Sequence, residues 1–129
     1  MILLDTHVLA WTVADPRRLS RLALCEIERA RRRDGLAISA ITLWELASLF
    51  TRGRIRGRGP VEFSVRTFCE GVEIKPITLE IAAMAAQFPA EYPGDPVDRI
   101  IGATACVEDM PLVTRDERIR RSPLLRTVW

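Results

Sequence analysis

Short unbroken apolar runs alternate with longer stretches whose apolar positions recur every three to four residues, and this alternation predicts strands and helices in turn. Met1 to Leu4 reads as a short buried strand. Thr6 to Ala14 follows at helical spacing until Asp15-Pro16 stops it. Ser20 is placed to cap a helix reaching about Arg33, with Leu22, Ile27 and Ala30 inward and Arg29, Arg31, Arg32 and Arg33 near its end. Asp34-Gly35 closes that helix, and Leu36 to Ser39 reads as a second strand. Thr42 is then the expected cap of a helix carrying Leu43, Leu46, Ala47 and Phe50 on one side, which puts Glu45 in its first turn. Beyond a loop rich in glycine and arginine, the pattern predicts a helix over Val61–Glu70, a strand over Val72–Ile77 and a helix over Thr78–Gln87. Pro89, Pro93 and Gly94 make the next connection irregular. Asp95-Pro96 then opens a helix to about Glu108, with a capping side chain and proline at the first helical position. Pro111–Thr114 reads as a strand, Glu117–Arg121 as a short helix and Thr127–Trp129 as an edge strand.

Strands alternating with helices imply an α/β fold with a mainly parallel central sheet covered on both faces. The 129 residues suit one domain over residues 1–129, and no internal repeat or boundary interrupts them. Cys25, Cys69 and Cys106 are far apart and form no Cys-x-x-Cys pair, so they read as small core residues of a reduced, cytoplasmic protein. No apolar stretch approaches membrane-spanning length, and the first residues lack the pattern of a signal peptide. Lys75 is the sole lysine among 19 basic residues, so 18 are arginine, the residue suited to forked contacts with phosphate. A genome rich in G and C accounts for that bias at least as well.

Four acids stand out because each borders an apolar run: Asp5 after Met-Ile-Leu-Leu, Glu45 in Thr-Leu-Trp-Glu-Leu, Asp98 in Asp-Pro-Val-Asp-Arg and Asp116 after Leu-Val-Thr-Arg. In a parallel α/β protein the carboxyl ends of the strands converge on one crevice, where distant acids can meet. Gathered carboxylates repel by roughly 4 kcal/mol per close pair at the effective dielectric of a protein surface, which favours protonation or a bound cation. Oxygen-only ligands select Mg²⁺ or Mn²⁺, whereas zinc would usually recruit His or Cys. Each acid also has a plainer reading. Asp95 and Asp98 could both satisfy amides at a helix start, Glu45 could answer the helix dipole, and Asp116 could cap the helix after it. Asp5, directly after three apolar residues, must find a partner at the strand end. His7, the only histidine, reads as a local hydrogen-bonding residue, and Trp11 and Trp44 as core.

The segments Leu-Leu-Asp-Thr-His-Val-Leu-Ala-Trp (3–11), Ile-Ser-Ala-Ile-Thr-Leu-Trp-Glu-Leu (38–46), Asp-Pro-Val-Asp-Arg-Ile-Ile-Gly-Ala-Thr-Ala (95–105) and Leu-Val-Thr-Arg-Asp-Glu-Arg-Ile (112–119) together resemble the PIN domain, in the branch of VapC-type toxins. The resemblance runs nearly end to end. It implies a three-layer PIN-like fold and a Mg²⁺- or Mn²⁺-dependent endoribonuclease, the toxin of a toxin–antitoxin pair. By position, Asp5 and Asp98 match the principal metal-binding acids. Glu45 and Asp116 match the other two of the quartet, Asp116 directly or through water, and Asp95 matches a structural aspartate. Thr6 and Thr114 stand beside the acids and are candidates to orient carboxylates or water. A homodimer, a cognate antitoxin and an RNA substrate, tRNA or another structured RNA, also follow from the resemblance.

Contact with RNA needs positive charge near the acids, and Arg52, Arg54, Arg56 and Arg58, interleaved with glycines that would keep the loop mobile, are the candidates. The same loop reads equally as a solvated one, or as the seat of an antitoxin segment. A catalytically silent PIN-like scaffold and a DNA-directed nuclease are the competing functions. No Gly-x-Gly-x-x-Gly or Gly-x-x-x-x-Gly-Lys sequence supports a nucleotide-binding enzyme.

Overall fold

The computed structural model describes residues 1–129. Five strands, β1 (Ile2–Leu4), β2 (Leu36–Ser39), β3 (Val72–Lys75), β4 (Leu112–Val113) and β5 (Thr127–Val128), form one sheet in the order β3-β2-β1-β4-β5. Every neighbouring pair is parallel. The helices between them are α1 (Thr6–Ala14), α2 (Arg21–Arg32), α3 (Ala40–Thr51), α4 (Val61–Phe68), α5 (Leu79–Ala86), α6 (Pro96–Val107) and α7 (Glu117–Arg120), with a 3-10 turn at Pro16–Arg18.

Side chains alternate across the strands with a period of two, and this divides the core. Ile2, Leu4, Leu36, Ile38 and Val113 face a layer made with α1 to α4, where Val8, Leu9, Ile27, Leu46 and Phe68 pack. Leu3, Ala37 and Leu112 face the opposite layer, with Ile81, Ala85, Ile101 and Ala105 of α5 and α6 and Ile119 of α7. The chain thus builds outward from β1 through β2 to β3 on one side. It then crosses to the other side of β1 for β4 and β5. The reversal lies between β1 and β4, and in open α/β sheets the crevice beyond the carboxyl ends at such a reversal is where ligands bind. Asp5 and Thr114 are the residues that leave those two strands.

Several expectations change in detail. α3 starts at Ala40, capped by Ser39, whose Oγ accepts from the Ile41 amide at 3.3 Å, so Glu45 sits in the second turn rather than the first. The Thr42 hydroxyl is no cap; it meets Thr6 Oγ1 at 3.0 Å in the core. With Thr42 and Leu46 directed inward, Trp44 falls on the opposite side and is 59% exposed, not core. In α2 the inward set is Ala23, Ile27 and Ala30, one residue out of phase with Leu22, which is exposed. Cys25 is exposed and Cys69 and Cys106 are only half-buried, so none is a core residue. No helix is long and apolar enough to cross a membrane.

Candidate functional site

Asp5 ends β1 and caps α1, with the extended backbone a cap requires (φ −64°, ψ 152°). Its Oδ1 accepts from the Thr6 amide at 2.9 Å and its Oδ2 from the Thr114 hydroxyl at 2.7 Å. Thr114 Oγ1 in turn accepts from the Asp116 amide at 3.1 Å. One hydroxyl therefore ties together the ends of β1 and β4 and the two acids that follow them. Asp116 caps α7, its Oδ1 accepting from the amides of Arg118 (2.8 Å) and Ile119 (3.2 Å). On the other side, the buried Thr6–Thr42 contact fixes α3 against the first turn of α1, and Glu45 is carried on the next turn of α3. Asp95 Oδ1 caps α6 through the Val97 amide at 2.8 Å, which leaves Asp98, in the same first turn, without a hydrogen bond to its carboxylate.

Asp5, Glu45, Asp95, Asp98 and Asp116 line one cavity of about 360 Å³. The Asp98 carboxyl is pushed up to about 7 by burial first and then by the charges of Asp5, Asp95, Asp116 and Glu45. Burial also raises Asp5, against the lowering effect of the Thr114 hydrogen bond. Glu45 is raised by burial and by Asp5, while the Thr6 hydroxyl opposes the shift. A partly dry cavity with this much like charge is relieved either by a proton or by a cation. The carboxylates do not by themselves form a closed set of three or more metal ligands. Asp5, Asp95 and Asp116 are held by amides and hydroxyls, and the five acids offer oxygen only, with His7 the one imidazole in the lining. That suits Mg²⁺, which keeps several waters and takes only one or two carboxylates, better than a fully protein-caged ion.

Asp98 is itself held from behind. All five N–H groups of Arg99 reach backbone carbonyls of the segment that precedes α6: Nε to Pro93 (3.0 Å), Nη1 to Ala85 (3.4 Å) and Phe88 (2.8 Å), Nη2 to Pro89 (3.1 Å) and Tyr92 (3.5 Å). The buried Tyr92 hydroxyl donates to the Asp98 carbonyl at 3.1 Å. A side chain at Gly102 would collide with that phenol, so the glycine lets Tyr92 lie against α6. Trp11 lines the cavity with His7 and Arg115; the guanidinium carbons of Arg18 and Arg115 lie 4.7 and 5.8 Å from its ring centre, and the His7 and Trp129 rings approach it at 6.0 and 6.1 Å. Cation–π contacts at such exposed positions contribute about 0.5–1 kcal/mol each.

The PIN domain family model matches residues 2–123. The chain belongs to the PIN-domain family. It is 44% identical, over 99% of its length and 98% of the relative's, to Ribonuclease VapC22 of Mycobacterium tuberculosis. Its fold resembles that of VapBC2 from Rickettsia felis bound to a promoter DNA fragment (TM-score 0.74, 20% identity, 98% of this chain and 97% of that one). It also resembles DNA-bound VapBC from Salmonella typhimurium (TM-score 0.72, 23% identity, 98% and 97%).

Within this PIN-domain chain, the four sequence-selected acids come together in the cavity; Thr114 reaches Asp5 through its hydroxyl, and Thr6 reaches Asp5 through its amide while its hydroxyl meets Thr42 and acts on Glu45. Arg52 lies in the adjoining groove with Glu45 and Asp95. Arg54, Arg56 and Arg58 are outside both, on a loop that is pinned rather than free: Ser64 Oγ bonds the amide and the carbonyl of Arg58, each at 3.0 Å, and leaves no room for a side chain at Gly57. His7 makes no hydrogen bond and instead lines the cavity, exposed, while Trp11 is half-buried at its rim as well as packed on the core. Asp95, read as structural, caps α6 and also adds its charge to the cavity. Sequence reasoning missed Arg99, Tyr92, Arg18 and Arg115. Arg115 was signalled only by standing between Thr114 and Asp116, and nothing in the spacing announced the carbonyls that Arg99 binds.

Proposed function

We propose that residues 1–129 act as a single PIN domain with divalent-metal-dependent endoribonuclease activity, the toxin of a toxin–antitoxin pair in the cytoplasm. The observation that carries this reading is the convergence of acids from four distant segments at the β1/β4 reversal, with Asp98 raised to about 7. The name of the relative, a VapC ribonuclease, supports RNA as the substrate, and the toxin–antitoxin assemblies of similar fold support a cognate antitoxin.

In this reading Asp5 and Asp98 hold Mg²⁺, or Mn²⁺, with Glu45 and Asp116 contributing directly or through water. A bound ion of this kind supplies an activated water and offsets charge at the scissile phosphate. The residues of the chain do the positioning. Thr114 and the Thr6 amide fix both oxygens of Asp5, so its carboxylate cannot rotate away. Asp98 keeps its carboxylate free of protein donors and its backbone clamped by Tyr92. Asp116 is oriented by the α7 amides.

The test is cleavage of a mixed RNA and tRNA pool by the purified protein with Mg²⁺ or Mn²⁺, beside an EDTA control and Asp5→Asn. Cutting that needs the metal and is lost in the variant is expected. Cutting that persists in EDTA or in Asp5→Asn contradicts the proposed chemistry, and absence of RNA cutting with either metal favours a silent module or a DNA-directed nuclease.

A further inference from the structure

A polyanion approaching a cavity lined by five carboxylates meets repulsion unless cations stand at its mouth. Of the arginines that the sequence singles out, Arg52 lies in the adjoining groove with Glu45 and Asp95, and Arg54, Arg56 and Arg58 lie outside both, so none of the four lines the cavity itself. Arg115 does line it, and Arg18 reaches the same indole. Both arginines are exposed. Neither belongs to any of the ion pairs of the fold, although Arg115 is next in sequence to Asp116. An arginine beside several carboxylates would ordinarily close a pair with one of them. Here the Trp11 indole gives the guanidiniums another resting place, so their N–H forks stay unspent.

We propose that Trp11, Arg18 and Arg115 form a phosphate-binding lip that guides single-stranded RNA into the acidic cavity, Arg115 taking a phosphate next to the scissile one and Arg18 a phosphate further out. This inference rests on the ribonuclease reading above and adds to it the path of the substrate. Forked N–H donors match phosphate oxygens in pairs, which a lysine could not do. The exposed His7 ring, beside Trp11 on the cavity wall, offers a face on which an unpaired base can stack. Trp and Arg are also common in protein interfaces, so a protein contact on the half-buried ring and its two cations is the outcome that the experiment sets against RNA.

The experiment measures fluorescence anisotropy of a short labelled single-stranded RNA with full-length protein in EDTA, where metal-dependent cutting is suppressed, across a salt series. Wild type, Arg18→Gln, Arg115→Gln, the double variant and Arg31→Gln, a remote exposed arginine of α2, are compared. Each lip variant is expected to lower the slope of log affinity against log salt by about 0.7 and to weaken binding about fivefold near 0.1 M salt. Arg31→Gln should leave the slope unchanged, and far-ultraviolet circular dichroism should match wild type throughout. If wild type binds and cuts RNA while the lip variants keep its slope and affinity, the lip proposal fails alone and the surface passes to a protein contact. If Arg31→Gln lowers the slope as much as the lip variants do, the effect is net charge and the lip fails. If wild type neither binds nor cuts RNA, the ribonuclease reading fails and takes the lip with it.

Discussion

At Asp98 burial and four neighbouring carboxylates push the acid in one direction, and no hydrogen bond to its oxygens opposes them. Its folded-state value, about 7, stands above its ordinary value of 3.8. The folded protein therefore holds a proton that the unfolded chain releases more readily. Stability from this group is full below the ordinary value and is lost as pH rises through about 7. Asp5 and Glu45, also raised, act in the same sense. Metal-free protein in EDTA is thus expected to unfold at a lower temperature near pH 8 than near pH 5.5, by an amount worth about 1 kcal/mol once solvent screening of a half-buried carboxylate is allowed for. Saturating Mg²⁺ should narrow the difference, because the cation replaces the proton. A midpoint that is flat or rises over that range would contradict the charge crowding. Asp98→Asn carries the same logic further: thermal melts near pH 8 in EDTA should show it more stable than wild type, while cleavage and stabilisation by Mn²⁺ disappear. The acids were legible in the sequence because four motifs stand in the order and spacing of the PIN domain, although a capping or helix-dipole role could account for most of them singly. Their crowding was not, since it depends on distances that no spacing records. Trp44 was misread for a similar reason, because Leu43 and Leu46 near it suggested an apolar face while the phase of the helix was set by the inward Thr42 and Leu46.

The elements that carry these residues were mostly readable, and the departures cluster at caps. Ser39 and Thr42 both have a capping hydroxyl, and the sequence cannot say which ends the strand. The paired register of β2 with β3, which reaches Ser39, makes that residue the boundary and frees Thr42 to meet Thr6. α6 shows a second device that periodicity hides. Arg99 spends its whole guanidinium on carbonyls of the Ala85–Pro93 segment, and Tyr92 bonds the Asp98 carbonyl, so the start of this helix is braced from outside. Arg99→Lys, which keeps the charge and loses the fork, is expected to speed amide exchange across residues 86–93 and to weaken Mn²⁺ binding severalfold. Unchanged exchange would show the clamp to be dispensable. Gly102→Ala drives a methyl group into Tyr92 and should cost about 1–3 kcal/mol in a denaturant titration. A neutral result would mean that Tyr92 can leave α6 freely.

For the whole molecule, the alternation of strand and helix made a parallel sheet the natural expectation, and the order β3-β2-β1-β4-β5 agrees with it. The order itself was not written in any local pattern. Because the chain reverses at β1, the helices are sorted onto two faces and the ends of β1 and β4 are left side by side at the mouth of a crevice. Four segments far apart in sequence then deliver their acids to one place. The central claim is that this place holds the metal ion on which RNA cleavage depends. Anomalous diffraction from crystals soaked in Mn²⁺ tests it most directly. A single strong peak is predicted within about 2.0–2.3 Å of carboxylate oxygens of Asp5 and Asp98, lost in Asp98→Asn; a cavity without a peak at saturating Mn²⁺, or a peak bound elsewhere on the molecule, would contradict it.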